Sequence, residues 1–183
     1  MFEAPVPATW HWRPISIDIL LNLQACREPL AAYIDPLAAP KRRHLLADVR
    51  RCAEMYRAPL KPPQQPRPNP QSALCISLLL RKRGIANENF RNAVFDAYWK
   101  DQRDVGAPAV LKDCLSDTDV ALDIIDEASS SVARAELIAD TQRAYEFGVF
   151  GVPTFALGDE IFFGNDRLEM VRWRLTNQIP NVG

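Results

Sequence analysis

No apolar run in this 183-residue chain approaches the roughly 20 residues that span a bilayer. The N-terminus Met1-Phe2-Glu3-Ala4-Pro5 also lacks the basic-then-apolar layout of a secretory signal. Together these features predict a cytoplasmic protein with no membrane partner. No Cys-x-x-Cys occurs: Cys26, Cys52, Cys75 and Cys114 are widely spaced, and none immediately precedes an expected helix, where the dipole favours thiolate. A dithiol centre is therefore not expected, and each cysteine reads as a small buried or half-buried hydrophobe. No His or Cys cluster has zinc spacing, so no metal site is expected. Neither His11 nor His44 belongs to a pattern that identifies a catalytic triad, and composition and spacing leave the catalytic residue unknown. Neither sign of charge dominates, with 22 basic and 23 acidic residues and a net charge of −1. This balance argues against a general attraction to nucleic acid and points to a small or specific partner.

What is present is enough apolar material for a substantial core, 48% of residues, and the length suits one domain carrying an inserted subdomain. Trp10-His11-Trp12-Arg13 and Ile15-Ser16-Ile17 alternate at period two, as a half-buried strand does, with Pro14 marking an edge or bulge. The stretch from Asn22 to Pro40 is irregular. Leu45, Leu46, Val49, Cys52, Ala53 and Tyr56 then fall on one face of a helix. Six prolines between Pro59 and Pro70 make an extended connection. Asn69 and Pro70 open the next helix and Gly84 lies past its end, while Asn87 is placed to cap another carrying Phe90, Val94, Ala97 and Tyr98. Short helices are expected at Ala109 to Leu115 and Val120 to Asp126, followed by a longer one from Ser131 to Phe147. Strands at Thr154 to Leu157 and Glu160 to Phe163 flank Gly158-Asp159, a two-residue connection suited to a tight hairpin. Asp166-Arg167-Leu168-Glu169 has the form of a capping box before a final helix carrying Leu168, Val171 and Leu175.

The most informative segment runs Phe147-Gly148-Val149-Phe150-Gly151-Val152-Pro153-Thr154-Phe155 and continues to Gly164-Asn165-Asp166-Arg167-Leu168. Glycines free the backbone at a helix end, and proline forces the residue before it into an extended conformation, so such a corner can offer main-chain groups to a ligand. On spacing alone it also fits an ordinary helix-to-strand loop.

From Gly148 through Leu168, with Glu169 and Met170, the chain resembles the C-terminal signature of 2-hydroxychromene-2-carboxylate isomerases, relatives of kappa-class glutathione transferases and DsbA-type thioredoxin-fold proteins. Weaker matches follow in order from Trp10 to Leu175. Trp12-Arg13-Pro14-Ile15 resembles the family's second strand. Pro40-Lys41-Arg42-Arg43 and Asp48-Val49-Arg50-Arg51 resemble the opening of its helical insertion. Asn92 to Trp99 resembles an insertion helix, and Thr141-Gln142-Arg143-Ala144 the helix that feeds the proline corner. The resemblance implies an α/β fold, a thioredoxin-like sheet with a large all-helical insertion. The thioredoxin-like portion would be residues 1–40 and 141–183, and the insertion residues 41–140. The family's first strand and its Ser-Pro-Tyr-like turn, whose serine interacts with the glutathione sulfur, have no counterpart before Trp10. A start inside a longer gene product is the favoured expectation, and a degenerate chain the other.

The resemblance further implies glutathione as cofactor, an aromatic-derived carboxylic acid as substrate and cis–trans isomerisation as the reaction, with the given chain possibly inactive. Val152 and Pro153 match the corner that pairs with the glutathione cysteine. Asn165 and Asp166 match positions at a helix start that hold its glutamyl end, where Asp166 could equally be a helix cap. Lys41 is the best match to an anion-binding residue, set in a basic cluster with Arg42 and Arg43 that could equally be a solvated surface. Two alternatives stand beside this reading: a DsbA-like thiol–disulfide oxidoreductase, and a non-catalytic thioredoxin-fold binding module whose sheet is completed by a partner or by homodimer formation.

Overall fold

Helix-ending glycines and one tight turn set most of the architecture seen in the computed structural model, which describes residues 8–32, 34–35, 37–61, 67–118 and 120–177. The chain forms two compact units, Met1–Ala31 with Ile138–Gly183, and Ala32–Leu137.

The second unit is helical. It contains α2 (Ala39–Tyr56), α3 (Gln71–Lys82), α4 (Glu88–Phe95) with a π-helical turn at Asp96–Lys100, α5 (Pro108–Cys114) and α6 (Ile124–Ala128), and it takes in the first half of α7 (Ser131–Glu146). In α3, Ala73, Cys75, Ile76, Leu78, Leu79 and Leu80 are all buried, half of a twelve-residue helix, so it is apolar on several sides and forms the centre of the unit. It packs against α4 and α6, and α5 packs against the same two helices. Phe90, Leu111, Leu115, Ile124 and Leu137 close the core around it. The Asn69 side chain accepts the Gln71 N–H at 3.0 Å, which satisfies one orphan donor at the start of α3. At its end Gly84 adopts φ +67°, and Ile85 N–H returns to the Leu80 carbonyl at 3.0 Å, the reverse turn that glycine permits there. Asn87 sits at the start of α4 but does not cap it. Its side chain is engaged with Ser77 instead.

The expected helix with its apolar face is α2, yet no residue of that helix is buried, and Leu45, Leu46, Val49 and Tyr56 are all exposed. Periodicity fixes which residues share a face, and packing decides whether anything covers it. Part of the proline-rich connection, residues 62–66, lies outside the described residues.

In the first unit, described residues 8–16 carry no regular secondary structure and lead into α1 (Ile17–Gln24). Here the expected strand at Trp10 to Ile17 is overturned: residues 8–16 join no β-ladder, and the chain turns helical at Ile17. A period-two pattern becomes a strand only when another strand accepts its N–H and carbonyl groups, and among the described residues the only ladder is β1 with β2. Ser16, itself extended, caps α1, its hydroxyl accepting Ile19 N–H at 3.4 Å. Ser16 N–H in turn reaches the hydroxyl of Thr141, a fully buried residue of α7, at 3.1 Å.

Helix α7 stops where Gly148 takes φ +104° and Val149 N–H bonds the Ala144 carbonyl at 2.9 Å, with Val149 buried as the motif's apolar contact. The chain then passes through Val152–Pro153, a cis peptide, into β1 (Thr154–Leu157). Gly158, at φ +58°, allows the two-residue turn to β2 (Glu160–Phe163). The strands pair antiparallel, Thr154 opposite Phe163 and Leu157 opposite Glu160. A 3₁₀ turn at Asn165–Arg167 leads into α8 (Leu168–Thr176).

Candidate functional site

The hairpin register decides the geometry of the site. Because Thr154 lies opposite Phe163, the residues just outside the strands also meet, and Gly164 N–H donates to the Pro153 carbonyl at 3.0 Å. The proline corner and the start of the terminal helical segment therefore lie side by side, although they are separated along the chain. This brings Val152 and Pro153 to the same end of the hairpin as Asn165 and Asp166.

The carbonyls of the corner are used unequally. Phe150 O accepts the side-chain amide of Gln24 at 3.0 Å, Gly151 O accepts the Thr154 hydroxyl at 2.7 Å, and Pro153 O accepts Gly164 N–H. Between them Val152 has neither its N–H nor its carbonyl bonded to any described residue, and its side chain is exposed. A main-chain donor and acceptor presented together at the mouth of a strand can pair with an extended peptide as an added strand does.

Beneath the corner lies Phe163. A Cβ built on the buried Gly151 would fall 3.0 Å from Cζ and 3.2 Å from Cδ2 of that ring, and closer still to Cε2, so any side chain there requires the ring to shift. Phe163 also stacks at a tilt on Phe150, ring centroids 4.7 Å apart. On the other side of the hairpin Trp10 meets Phe155 edge-on at 6.2 Å.

Asn165 and Asp166 are exposed within the 3₁₀ turn. The capping-box expectation is not met: Arg167 occupies the N-cap position of α8, and no side chain caps that helix. The intervening turn removes Asp166 from cap position, and its carboxylate instead lies near Gly164 and pairs with Arg167 at 3.4 Å. An exposed carboxylate so placed can meet an ammonium group, while N–H groups of the turn face an anion. Asn22 is buried and its side chain is fully engaged within its own loop. It donates to the Pro29 and Ala31 carbonyls and accepts from Arg27, which builds the loop after α1.

Lys41 belongs to the helical unit, exposed in the first turn of α2. Its neighbour Arg42 is tied to Asp35 at 2.6 Å and to the Leu37 carbonyl. All four cysteines are free. Cys75 and Cys114 are buried, and that burial pushes both thiols above their ordinary pKa, away from thiolate. Cys26 and Cys52 are exposed, contrary to their reading as buried hydrophobes. Trp10, Trp12 and Trp173 are likewise exposed. Among the described residues no cluster of His, Cys, Asp or Glu could hold a metal ion.

Gln24, Thr154 and Phe163 are the site residues that sequence reasoning missed. The first two bond the carbonyls flanking Val152, and Phe163 underlies Gly151. Thr154 carries a local signal, a hydroxyl placed to fold back on the corner, whereas Gln24 carries none.

An antiparallel hairpin entered through a proline corner, followed by a terminal helix and preceded in sequence by a large helical insertion, defines a thioredoxin-fold protein. The chain belongs to the DsbA-like thioredoxin domain family, whose model matches residues 8–176. More particularly, it is 31% identical over 133 residues to the 2-hydroxychromene-2-carboxylate isomerase of Sphingobium xenophagum, covering 72% of this chain and 67% of that one. It is 35% identical over 132 residues to the protein of the same name from Pseudomonas sp. (strain C18), covering 70% and 59%, and 31% identical over 131 residues to that of Pseudomonas putida, covering 70% and 62%. The matches thus span about three fifths to two thirds of these relatives' lengths. A solved 2-hydroxychromene-2-carboxylate isomerase superposes with a TM-score of 0.68 at 23% identity, covering 92% of this chain and 80% of that one, which establishes the shared fold. Among the described residues no helix is long and apolar enough to cross a membrane.

Proposed function

We propose that this chain binds glutathione at the Val152–Pro153 corner and serves glutathione-dependent cis–trans isomerisation of an aromatic-derived carboxylic acid of the 2-hydroxychromene-2-carboxylate type. The observation that carries the proposal is the exposed Val152, whose main chain is bonded to no described residue and lies between carbonyls that are already bonded. The names of the relatives support the choice of substrate.

The residues fit the tripeptide by chemistry. Val152 N–H and carbonyl would pair with the backbone of its cysteine. The Asp166 carboxylate would meet its ammonium group, and the turn at Asn165 its glutamyl carboxylate. Bound there, glutathione supplies a thiol whose reversible addition to a conjugated substrate permits rotation about the former double bond. The chain's own part is to hold tripeptide and substrate in reactive geometry, which removes entropy from the barrier. No catalytic residue is assigned, and Lys41 remains the proposed partner for a carboxylate. The thiol–disulfide alternative draws no support from four free cysteines, two of them buried with raised pKa.

The test is spectroscopic: incubate the substrate with the protein, with and without glutathione, and follow interconversion of the isomers by ultraviolet absorption. Conversion that requires both protein and glutathione supports the proposal. Conversion no faster than with glutathione alone contradicts it.

A further inference from the structure

We infer that Gln24 is a positioning residue for the proline corner, one that holds Val152 in its binding orientation without touching the ligand. The inference rests on the glutathione reading for its functional consequence and on geometry for its mechanism. Gln24 stands in the last turn of α1, and its side-chain amide donates across the unit to the Phe150 carbonyl at 3.0 Å, with a longer 3.3 Å contact to Leu20 O in its own helix. Helix α1 is fixed at its other end by Ser16 N–H on the buried Thr141 hydroxyl, and along its length by buried Ile19, Leu20 and Asn22. It therefore braces α7 and the loop that leaves it, from a rigid base.

The brace matters because of what separates it from Val152. The single intervening residue is Gly151, whose backbone lacks the steric limits a side chain would impose. Gln24 fixes the Phe150 carbonyl and Thr154 the Gly151 carbonyl, so both peptides that lead into Val152 are held and its orientation has little freedom to change. Without the Gln24 bond, only the Thr154 bond steadies the chain before Val152, and the donor and acceptor that an added strand needs are held less firmly together.

Two variants separate the bond from the bulk of the side chain. Gln24→Glu keeps the shape, removes the donor and sets a carboxylate against a carbonyl. Gln24→Lys restores a donor of similar reach. In the ligand-free full chain the Val152 amide and carbonyl resonances are expected to shift in Gln24→Glu and to stay near wild type in Gln24→Lys. In calorimetric titration with glutathione, Gln24→Glu is expected to bind about fivefold more weakly, the effect of one hydrogen bond, and Gln24→Lys within about twofold of wild type. Unmoved Val152 resonances in Gln24→Glu, or equal losses in both variants, overturn the inference. If wild-type protein binds no glutathione while the resonances still separate the two variants, the glutathione reading fails and the positioning role at the corner stands.

Discussion

Replacing Gly151 with alanine should strain the corner through a direct contact with the Phe163 ring. The new Cβ would lie within 3.2 Å of three carbons of the Phe163 ring, which is stacked on Phe150, so the ring must shift and disturb that stacking. Overpacking of this kind costs about 1–3 kcal/mol, and for a chain of this size that lowers the melting temperature by about 3–9 °C. The same displacement moves the Gly151 carbonyl off the Thr154 hydroxyl and disorders Val152, so glutathione affinity should fall with stability. Thermal unfolding followed by circular dichroism, with parallel calorimetry, measures both. Adding Phe163→Leu to Gly151→Ala should recover part of the melting temperature, because the clash is with that ring. A Gly151→Ala protein that melts within about 1 °C of wild type, or a double variant less stable than the sum of its parts, refutes the reasoning.

Truncating Phe90 to alanine, a fully buried side chain in the helical core, should destabilise by about 3–5 kcal/mol in denaturant unfolding. In native protein a thiol reagent should label the exposed Cys26 and Cys52, and reach Cys75 and Cys114 only after denaturation. Asp35 should titrate below the usual carboxylate range, held there first by the Leu37 N–H and then by Arg42. Nuclear magnetic resonance should show Arg42→Ala raising the midpoint without fully restoring it. Since the folded pKa is lowered, this contribution to stability is present at neutral pH and is lost as pH falls through that midpoint.

Where the cause of a feature is local, the sequence is informative. Gly84, Gly148 and Gly158 mark turns because each takes a positive φ in a reversal a few residues long, and the hairpin strands follow from the Gly158-Asp159 spacing. Val152, Pro153, Asn165 and Asp166 are legible together because one short hairpin joins them. Features that depend on distant chain are illegible. The alternation at Trp10 to Ile17 meets no pairing strand among the described residues, so it forms no ladder. Asn87 spends its side chain on Ser77 rather than on its own helix, a choice made by packing. Gln24 is the plainest case: nothing near it signals a role, because its partner Phe150 is 126 residues away.

The central claim is that the Val152 main chain is a glutathione-docking edge, and a titration of labelled protein with glutathione, read at each backbone amide, tests it most directly. The account predicts saturable shifts centred on Val152 and extending to Asn165 and Asp166. Absence of saturation, or shifts confined to residues remote from the corner, would contradict it.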